Sequence, residues 1–323
     1  MNRVKQLGKL LVVGSINMDL VFQTKQLPGP GETVIGSSFC QINGGKGANQ
    51  AVAAARGSNV PVKLLAAVGG DAYATSIMES FKLESRLGIE LIQQIADAPT
   101  GVAVIMVDDD GENMICVAAG ANERLSVELV RDMPNQLFQQ ASVVLLSAEI
   151  PLSTIREVIV RTVEFGGLVI LNPAPALHEL RNDVLLADVD ILTPNEHEAR
   201  MLTGIEVTGF GSAVEAGRCL QELGVTTVIV TLGPQGVVVV PCIDSIENVA
   251  PWAVSPPKVQ VADTTAAGDC FNGILAAELA LGKSLSKAVE FAVMGASVSV
   301  TRAGAQSSLP TVEELESFSA SID

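Results

Sequence analysis

Asp269 follows three small residues, Ala266, Ala267 and Gly268, where the stretch VADTTAAGDC passes into a long helix-period segment. A helix start leaves several backbone N–H groups without intrahelical partners and carries the positive end of the helix dipole. With no bulky side chain over them, such amides suit an anion. A transferring phosphoryl group spreads charge over its equatorial oxygens, which fixed amides stabilise without reorganising, and a nearby aspartate can take the proton of an attacking alcohol. An acid in a first helical turn also favours the helix dipole with no chemistry attached, so the reading needs companion residues.

Five other stretches are candidates. In GSINMD, Asn17 and Asp19 stand two apart and project the same way if extended, which suits hydrogen bonds to vicinal hydroxyls; a plain turn is the alternative. NGGKGANQAVAAARG places Gly44, Gly45 and Gly47 around Lys46, but a P-loop needs Ser or Thr directly after the lysine, and no GxGxxG spacing is present. What remains is a glycine turn allowing close ligand approach, with Asn49 in the first helical turn, or a simple turn before a packed helix. In TPNEHEARMLTG, Asn195 and Glu198 share a helical face and either orient waters around Mg²⁺ or cap the helix; HExxH fails because Met201 stands where a second histidine belongs. TLGPQG offers the Thr231 hydroxyl with Gly233 and Gly236 in a turn, for nucleotide phosphates or merely as a β-turn. The acids of DDDG, 108–111, are consecutive, which matches a hairpin turn and not a calcium loop.

Short apolar runs at Leu10–Val13, 62–68, 143–146, 168–171, Ile191–Leu192 and 228–231 alternate with helix-period segments at 47–56, 75–87, 154–164, 212–223, 270–281 and 285–300. The order predicts an α/β fold, a mainly parallel sheet with helices on both faces. Residues 21–42 read as two strands around PGPGE, and 100–118 contain a hairpin; together they read as a small β lid over a core made of 1–20, 43–99 and 119–323. There is no linker, low-complexity tract or internal repeat.

The 323 residues allow one large domain or two smaller ones, and 48% apolar residues with only 3% aromatics favour helix-on-sheet packing. A formal charge of -16 argues against nucleic acid as a partner, though local amides still permit a nucleotide. Five cysteines without a CxxC pair argue against a disulfide framework or zinc cluster and fit a reducing cytoplasm. No stretch approaches the roughly 20 apolar residues of a membrane span, and the basic lead MNRVKQLGK reads as the approach to a first buried strand and not as a targeting signal.

Taken in order, GSINMD, NGGKGANQAVAA, NPAPA, TPNEHEA, TLGPQG and DTTAAGD resemble the ribokinase-like family of sugar and nucleoside kinases, from Leu10 to about Pro310. The resemblance implies ATP-dependent phosphorylation of D-ribose at O5, with Asp269 as general base and the Ala266, Ala267 and Gly268 amides as anion hole. It assigns sugar contacts to Asn17, Met18, Asp19, Gly45, Lys46, Asn49, Glu149 and Asp269. Nucleotide contacts fall on Asn195, Thr231, Leu232, Gly233, Pro234, Gln235, Gly236, Gly268 and Val293. Mg²⁺ is expected through waters near Asn195 and Glu198, and activating K⁺ beside Asp263, Thr265, Ser299, Arg302, Gly304 and Ser308. The resemblance also implies a homodimer formed through the lid. Cys270 stands where the family usually has Thr, which predicts oxidant sensitivity, and GGDAYATS lacks the second acid common after GD. Other sugars or nucleosides, or a silent sugar-binding protein, are the alternatives. The dense polar set Asn17, Asp19, Asn49 and Glu149 favours ribose over 2-deoxyribose, and the intact amide turn with Asp269 favours an enzyme.

Overall fold

The computed structural model describes residues 8–182, 184–242 and 249–322. The first residues of the basic lead lie outside them. Fourteen strands are present among the described residues: β1 Leu10–Val13, β2 Asn17–Gln23, β3 Ser38–Gly44, β4 Val62–Gly69, β5 Leu87–Gly88, β6 Ile92–Ile95, β7 Gly101–Val107, β8 Asn113–Ala118, β9 Val143–Ser147, β10 Leu168–Asn172, β11 Ile191–Leu192, β12 Thr227–Thr231, β13 Val237–Val240 and β14 Trp252–Val254. The helices are α1 Lys46–Gly57, α2 Ala72–Phe81, α3 Val127–Asp132, α4 Asn135–Gln140, α5 Leu152–Glu164, α6 Glu196–Thr203, α7 Phe210–Glu222, α8 Ala267–Ala280, α9 Leu285–Ser299 and α10 Val312–Ile322.

Ten strands form one sheet in the order β14-β13-β12-β11-β10-β9-β1-β4-β5, with β6 also paired to β4. Pairing is parallel from β12 through β5 and antiparallel only at β12–β13 and β13–β14. Strand β1 shows why the sheet is covered on both sides. Leu10 and Val12 enter an apolar layer with residues of α1, α8 and α9, while Leu11 and Val13 enter a second layer with α5 and α7. A period-2 chain buried on both faces reads as a continuous apolar run, and LLVV is one. The expected α/β architecture is therefore present.

β1 pairs with β4 on one side and β9 on the other, so the chain winds outward in both directions from it. Ligands of such sheets bind outside the carboxyl ends of the strands, where the order reverses. From that end, β2 leaves the main sheet after Gly14–Ile16 and joins a second, four-stranded sheet in the order β3-β2-β7-β8. GSINMD is thus not a loop: Asn17 already opens β2, paired with Gly44 and Gly101. The 108–111 acids form the expected hairpin turn, where Asp108 Oδ1 accepts the Asp110 and Glu112 N–H groups.

Helix α2 differs most from expectation. The 75–87 segment begins earlier, at Ala72, because Asp71 caps it by accepting the Ala74 N–H at 2.9 Å, and ends at Phe81, with Leu87 already in β5. Asp71 also accepts from Thr100, tying the cap to the entry of β7. No helix among the described residues is long and apolar enough to cross a membrane.

Candidate active site

Four strand ends and two helix starts converge around Asp269. Helix α8 begins after Ala266, which at φ 59° is the only described non-glycine residue in the left-handed region. Such a conformation is costly for alanine and marks a constrained turn. No side chain caps the helix. The Ala267 N–H donates to Thr264 O at 3.2 Å, so the amides left toward a ligand are those of Ala266 and Gly268 and not all three.

Asp269 is buried, 8% exposed, the third residue of α8. Its Oδ2 accepts from Asn49 Nδ2 and its Oδ1 from Gln50 Nε2, each at 3.0 Å. Burial pushes the carboxyl above the ordinary carboxylate range, opposed by the Lys46 charge and by these two donors. The two amides and the Lys46 charge support the anion against that burial.

Facing it, β2 presents Asn17 and Asp19 on one face. Asn17 Oδ1 accepts from Asn122 Nδ2 at 2.8 Å, and Asn122 also holds the Ile16 N–H and carbonyl. Glu149 Oε2 receives Ser15 Oγ at 2.5 Å, the Lys46 N–H at 3.2 Å and Asn17 Nδ2 at 3.5 Å, while its other oxygen has no partner among the described residues. Asp19 has no hydrogen-bond partner among the described residues. Burial, then Glu149 and Asp269, push its carboxyl up to about 7, with Lys46 opposing. Lys46 itself forms no direct ion pair among the described residues. Burial disfavours its charge, but Asp269, Glu149, Glu198 and Asp19 outweigh that and hold its ammonium above the ordinary lysine value.

The glycines make room for this wall. Gly45 sits at φ 90°, and a Cβ there would lie 2.6 Å from the Asn17 nitrogen. At Gly44 a Cβ would lie 2.1 Å from Asp19 Oδ2. The turn before α1 is thus both a chain reversal and a close approach to the polar strand, as glycine permits. Met18, by contrast, alternates to the other face and is buried in the apolar layer beside α1 and α8, so its side chain does not join the polar wall.

Along the sheet, Asn195 and Glu198 make a full capping box: the Asn195 side chain accepts the Glu198 N–H at 2.8 Å, and Glu198 Oε2 accepts the Asn195 N–H at 2.9 Å. Glu198 keeps a second oxygen, and burial raises its carboxyl against the hydrogen bond from Asn195 and the Lys46 charge. The capping role is realised, and a water-held cation remains compatible with the free oxygen. In the Thr231–Gly236 turn, Leu232, Gln235 and Gly236 donate their amides within the turn, which leaves the Thr231 hydroxyl and the Gly233 amide open to a ligand. Pro234 has no amide hydrogen to offer. Val293 is 4% exposed in the layer between α8 and α9, so little of it is open to a nucleotide.

The 263–265 and 299–308 segments do meet. Asp263 Oδ1 accepts from the Thr265 N–H and hydroxyl, and Oδ2 accepts the Gly304 N–H at 2.8 Å. These bonds hold Asp263 below its ordinary range despite burial. Ser299 and Ser308 are fully buried and donate their hydroxyls to local carbonyls, and Arg302 pairs with Glu314.

The polar residues around Asp269 therefore come from the main sheet, the small sheet and the starts of α1 and α8. A model of the pfkB family carbohydrate kinases matches residues 7–312. The chain belongs to the PfkB family. It is 40% identical over 311 residues to the ribokinase of Haemophilus influenzae, covering 96% of this chain and 97% of that one. It is 34% identical over 311 residues to the deoxyribokinase of Salmonella typhi, covering 96% and 98%. The solved structure of Arabidopsis thaliana ribokinase complexed with ribose and ATP matches with a TM-score of 0.84 at 33% identity, covering 97% of this chain and 98% of that one. As a member of the PfkB family, the protein is a carbohydrate kinase.

Within this PfkB fold, the expectation for Cys270 is also overturned. Cys270 is fully buried and burial pushes its thiol up to about 12, so it is not the oxidant-sensitive group its place beside Asp269 suggests. Alkylation of the native enzyme labels the exposed Cys40 and Cys116 and leaves Cys270 unmodified; peptide mass mapping checks this.

A second expectation follows from Asp19. As its ionisation lies near 7, kcat/KM for the sugar falls as pH drops below about 7, because the neutral acid loses charge and acceptor capacity. Asp19→Asn removes that ionisation from the profile; a variant keeping the same inflection assigns it to another group.

The structure brings together Asn17, Asp19, Asn49, Glu149 and Asp269, which the sequence names, and joins to them Gln50, Asn122, Asn172, Thr193, Asn272 and Gln306, which it does not. Gln306 Nε2 braces Asn49 Oδ1 at 3.3 Å, and Arg56 holds the Gln306 carbonyl. Gln50 follows Asn49 directly in NGGKGANQ, Asn172 opens NPAPA and Thr193 opens TPNEHEA, so these motifs carried a signal; Asn122, Asn272 and Gln306 lie outside them.

Proposed function

We propose that the enzyme transfers the γ-phosphoryl group of ATP to O5 of D-ribose, giving D-ribose 5-phosphate and ADP. The observation that carries this reading is the buried Asp269 carboxylate, supported by Asn49 and Gln50 and placed within the uncapped first turn of α8. Similarity to a ribokinase that binds ribose and ATP supports the substrate pair.

In the proposed reaction Asn17, Asp19, Asn49 and Glu149 hold the ring hydroxyls, and Asp269 takes the O5 proton as O5 attacks the γ-phosphorus and the bond to ADP breaks. The Ala266 and Gly268 amides meet the charge on the moving group, with Lys46 adding a positive charge nearby. Nucleotide phosphates lie between that turn and the Thr231–Gly236 turn. The donor set at Asn195 and Glu198 fits Mg²⁺ that keeps its waters, and such an ion would neutralise phosphate charge there. The Asp263 carboxylate with the carbonyl-rich 299–308 loop fits a large monovalent cation such as K⁺, which would brace the turn preceding Ala266.

The four-stranded sheet is proposed as a lid that excludes water on closure. Phe39, Met114, Ile115 and Val117 are about half exposed on it, the surface a homodimer through the lid would cover. Five free cysteines suit a reducing cytoplasm.

An ADP-release assay with D-ribose, 2-deoxyribose, fructose and nucleosides, each with and without K⁺, tests the substrate. D-ribose is expected to give the highest kcat/KM, since a site built to bond a hydroxyl rejects its deoxy analogue by up to about 10⁴-fold. Equal or better use of 2-deoxyribose contradicts the assignment.

A further inference from the structure

Two side-chain amides connect Asp269 to a backbone carbonyl at the end of β11. Thr193 O accepts from Asn172 Nδ2 at 3.1 Å. A carbonyl can only accept, so Asn172 is fixed with its nitrogen toward β11 and its oxygen toward α1. That oxygen accepts from Gln50 Nε2 at 3.0 Å, and the same nitrogen gives its second hydrogen to Asp269 Oδ1 at 3.0 Å. Turning the Gln50 amide over would aim its oxygen at two acceptors. The amide therefore stays as it is even though its Oε1 is buried without a partner.

A second branch returns to the same helix turn. Thr193 Oγ1 donates to Asn272 Oδ1 at 2.6 Å, and Asn272 Nδ2 donates to Gly268 O at 2.8 Å. The path thus starts at the amide turn, crosses β11, β10 and α1, and ends on the carboxyl group of the next residue. Its side chains are closed to solvent, with Gln50 at 0%, Thr193 at 1%, Asn272 at 2% and Asn172 at 7% exposure. Asn49 and Gln50 hold opposite oxygens of Asp269, but they differ in what fixes them: Asn49 lies on the sugar side, and Gln50 lies against the framework.

We infer that Gln50, locked by Asn172, is a positioning residue that fixes the carboxyl plane of Asp269 relative to the α8 amide turn, so that the oxygen on the Asn49 side meets the sugar alcohol. The inference rests on Asp269 being the base. It requires no contact between Gln50 and either substrate, and it makes Asn172 act only through Gln50.

Gln50→Met keeps the volume and removes both donors. The expected kcat is about 10²-fold lower, as a small misplacement of reacting groups costs on that order. KM for ribose and for MgATP stays within about threefold, and the acid limb of the kcat profile moves to higher pH because the anion has lost a donor. Asn172→Ser gives a smaller fall with the same direction of pH shift, and the double variant is no slower than Gln50→Met alone. An activity within about threefold of wild type with an unmoved acid limb overturns the inference, as do losses that multiply in the double variant. Should Gln50→Met fail to fold, the acid limb of Asn172→Ser decides alone: shifted supports the inference, unmoved overturns it. Asp269→Asn in the same assay separates the two levels. If that variant is active the base assignment fails; if it is dead while Gln50→Met is normal, only the positioning role fails.

Discussion

Asp269→Asn is expected to lower kcat by about 10³- to 10⁴-fold, the upper part of the range for losing a positioned general base, with sugar affinity changed little. The asparagine is nearly isosteric but cannot accept the proton. Asn49 and Gln50 each donate to the carboxyl group, and an asparagine there presents an amide to one of two donors, so a modest loss of stability accompanies the loss of turnover. Calorimetric titration with the sugar, alongside steady-state rates, distinguishes lost chemistry from lost binding. A variant within a few fold of wild type removes Asp269 from the base role.

Lys46→Met is expected to have the second largest effect. Lys46 is the cation that lowers the Asp269, Asp19 and Glu198 carboxyls against burial and mutual repulsion. Its removal raises all three. A base with a raised pKa is protonated over more of the neutral range, so kcat at pH 7 falls by about 10²-fold, the scale of losing one preorganised electrostatic group, and recovers in part toward alkaline pH. The sign follows from the base being active when ionised: less of it is ionised below its new pKa, and the deficit closes above it. A loss equal at all pH values would mean that Lys46 acts by contact with substrate alone.

Much of the fold was legible because the main sheet is covered on both faces. Leu10–Val13 and Ile191–Leu192 match the observed strands residue for residue. Such strands appear as short unbroken apolar runs, which stand out from their helices. The start of α8 was placed three residues late, because Ala267–Asp269 look like turn residues when read singly, while the structure counts them in the first helical turn. Whether Asn17 is extended or in a plain turn stays open in the sequence for a related reason: only three residues separate β1 from the strand of the small sheet, and Gly14 among them reads as a terminator.

The site was legible where a polar residue interrupts a glycine-rich or strand-end motif, as at Asn17, Asp19, Asn49 and Asp269. It was not legible where a residue matters through partners distant in the chain. Gln50 meets Asn172 and Asp269, 122 and 219 positions away. Its place directly after Asn49 in NGGKGANQ marks it as near a site, but nothing local names those partners. Cys270 shows the converse error, since adjacency to Asp269 in the chain suggested reactivity, whereas successive helical residues point in different directions and the thiol faces the core.

A ternary complex with D-ribose and a non-hydrolysable ATP analogue addresses the base most directly. The distance to read is that from the Asp269 carboxyl to O5 of the sugar. The account predicts a separation of about 2.6–3.2 Å, with the γ-phosphate over the Ala266 and Gly268 amides. A carboxyl group facing away from O5, with another side chain in its place, would contradict it.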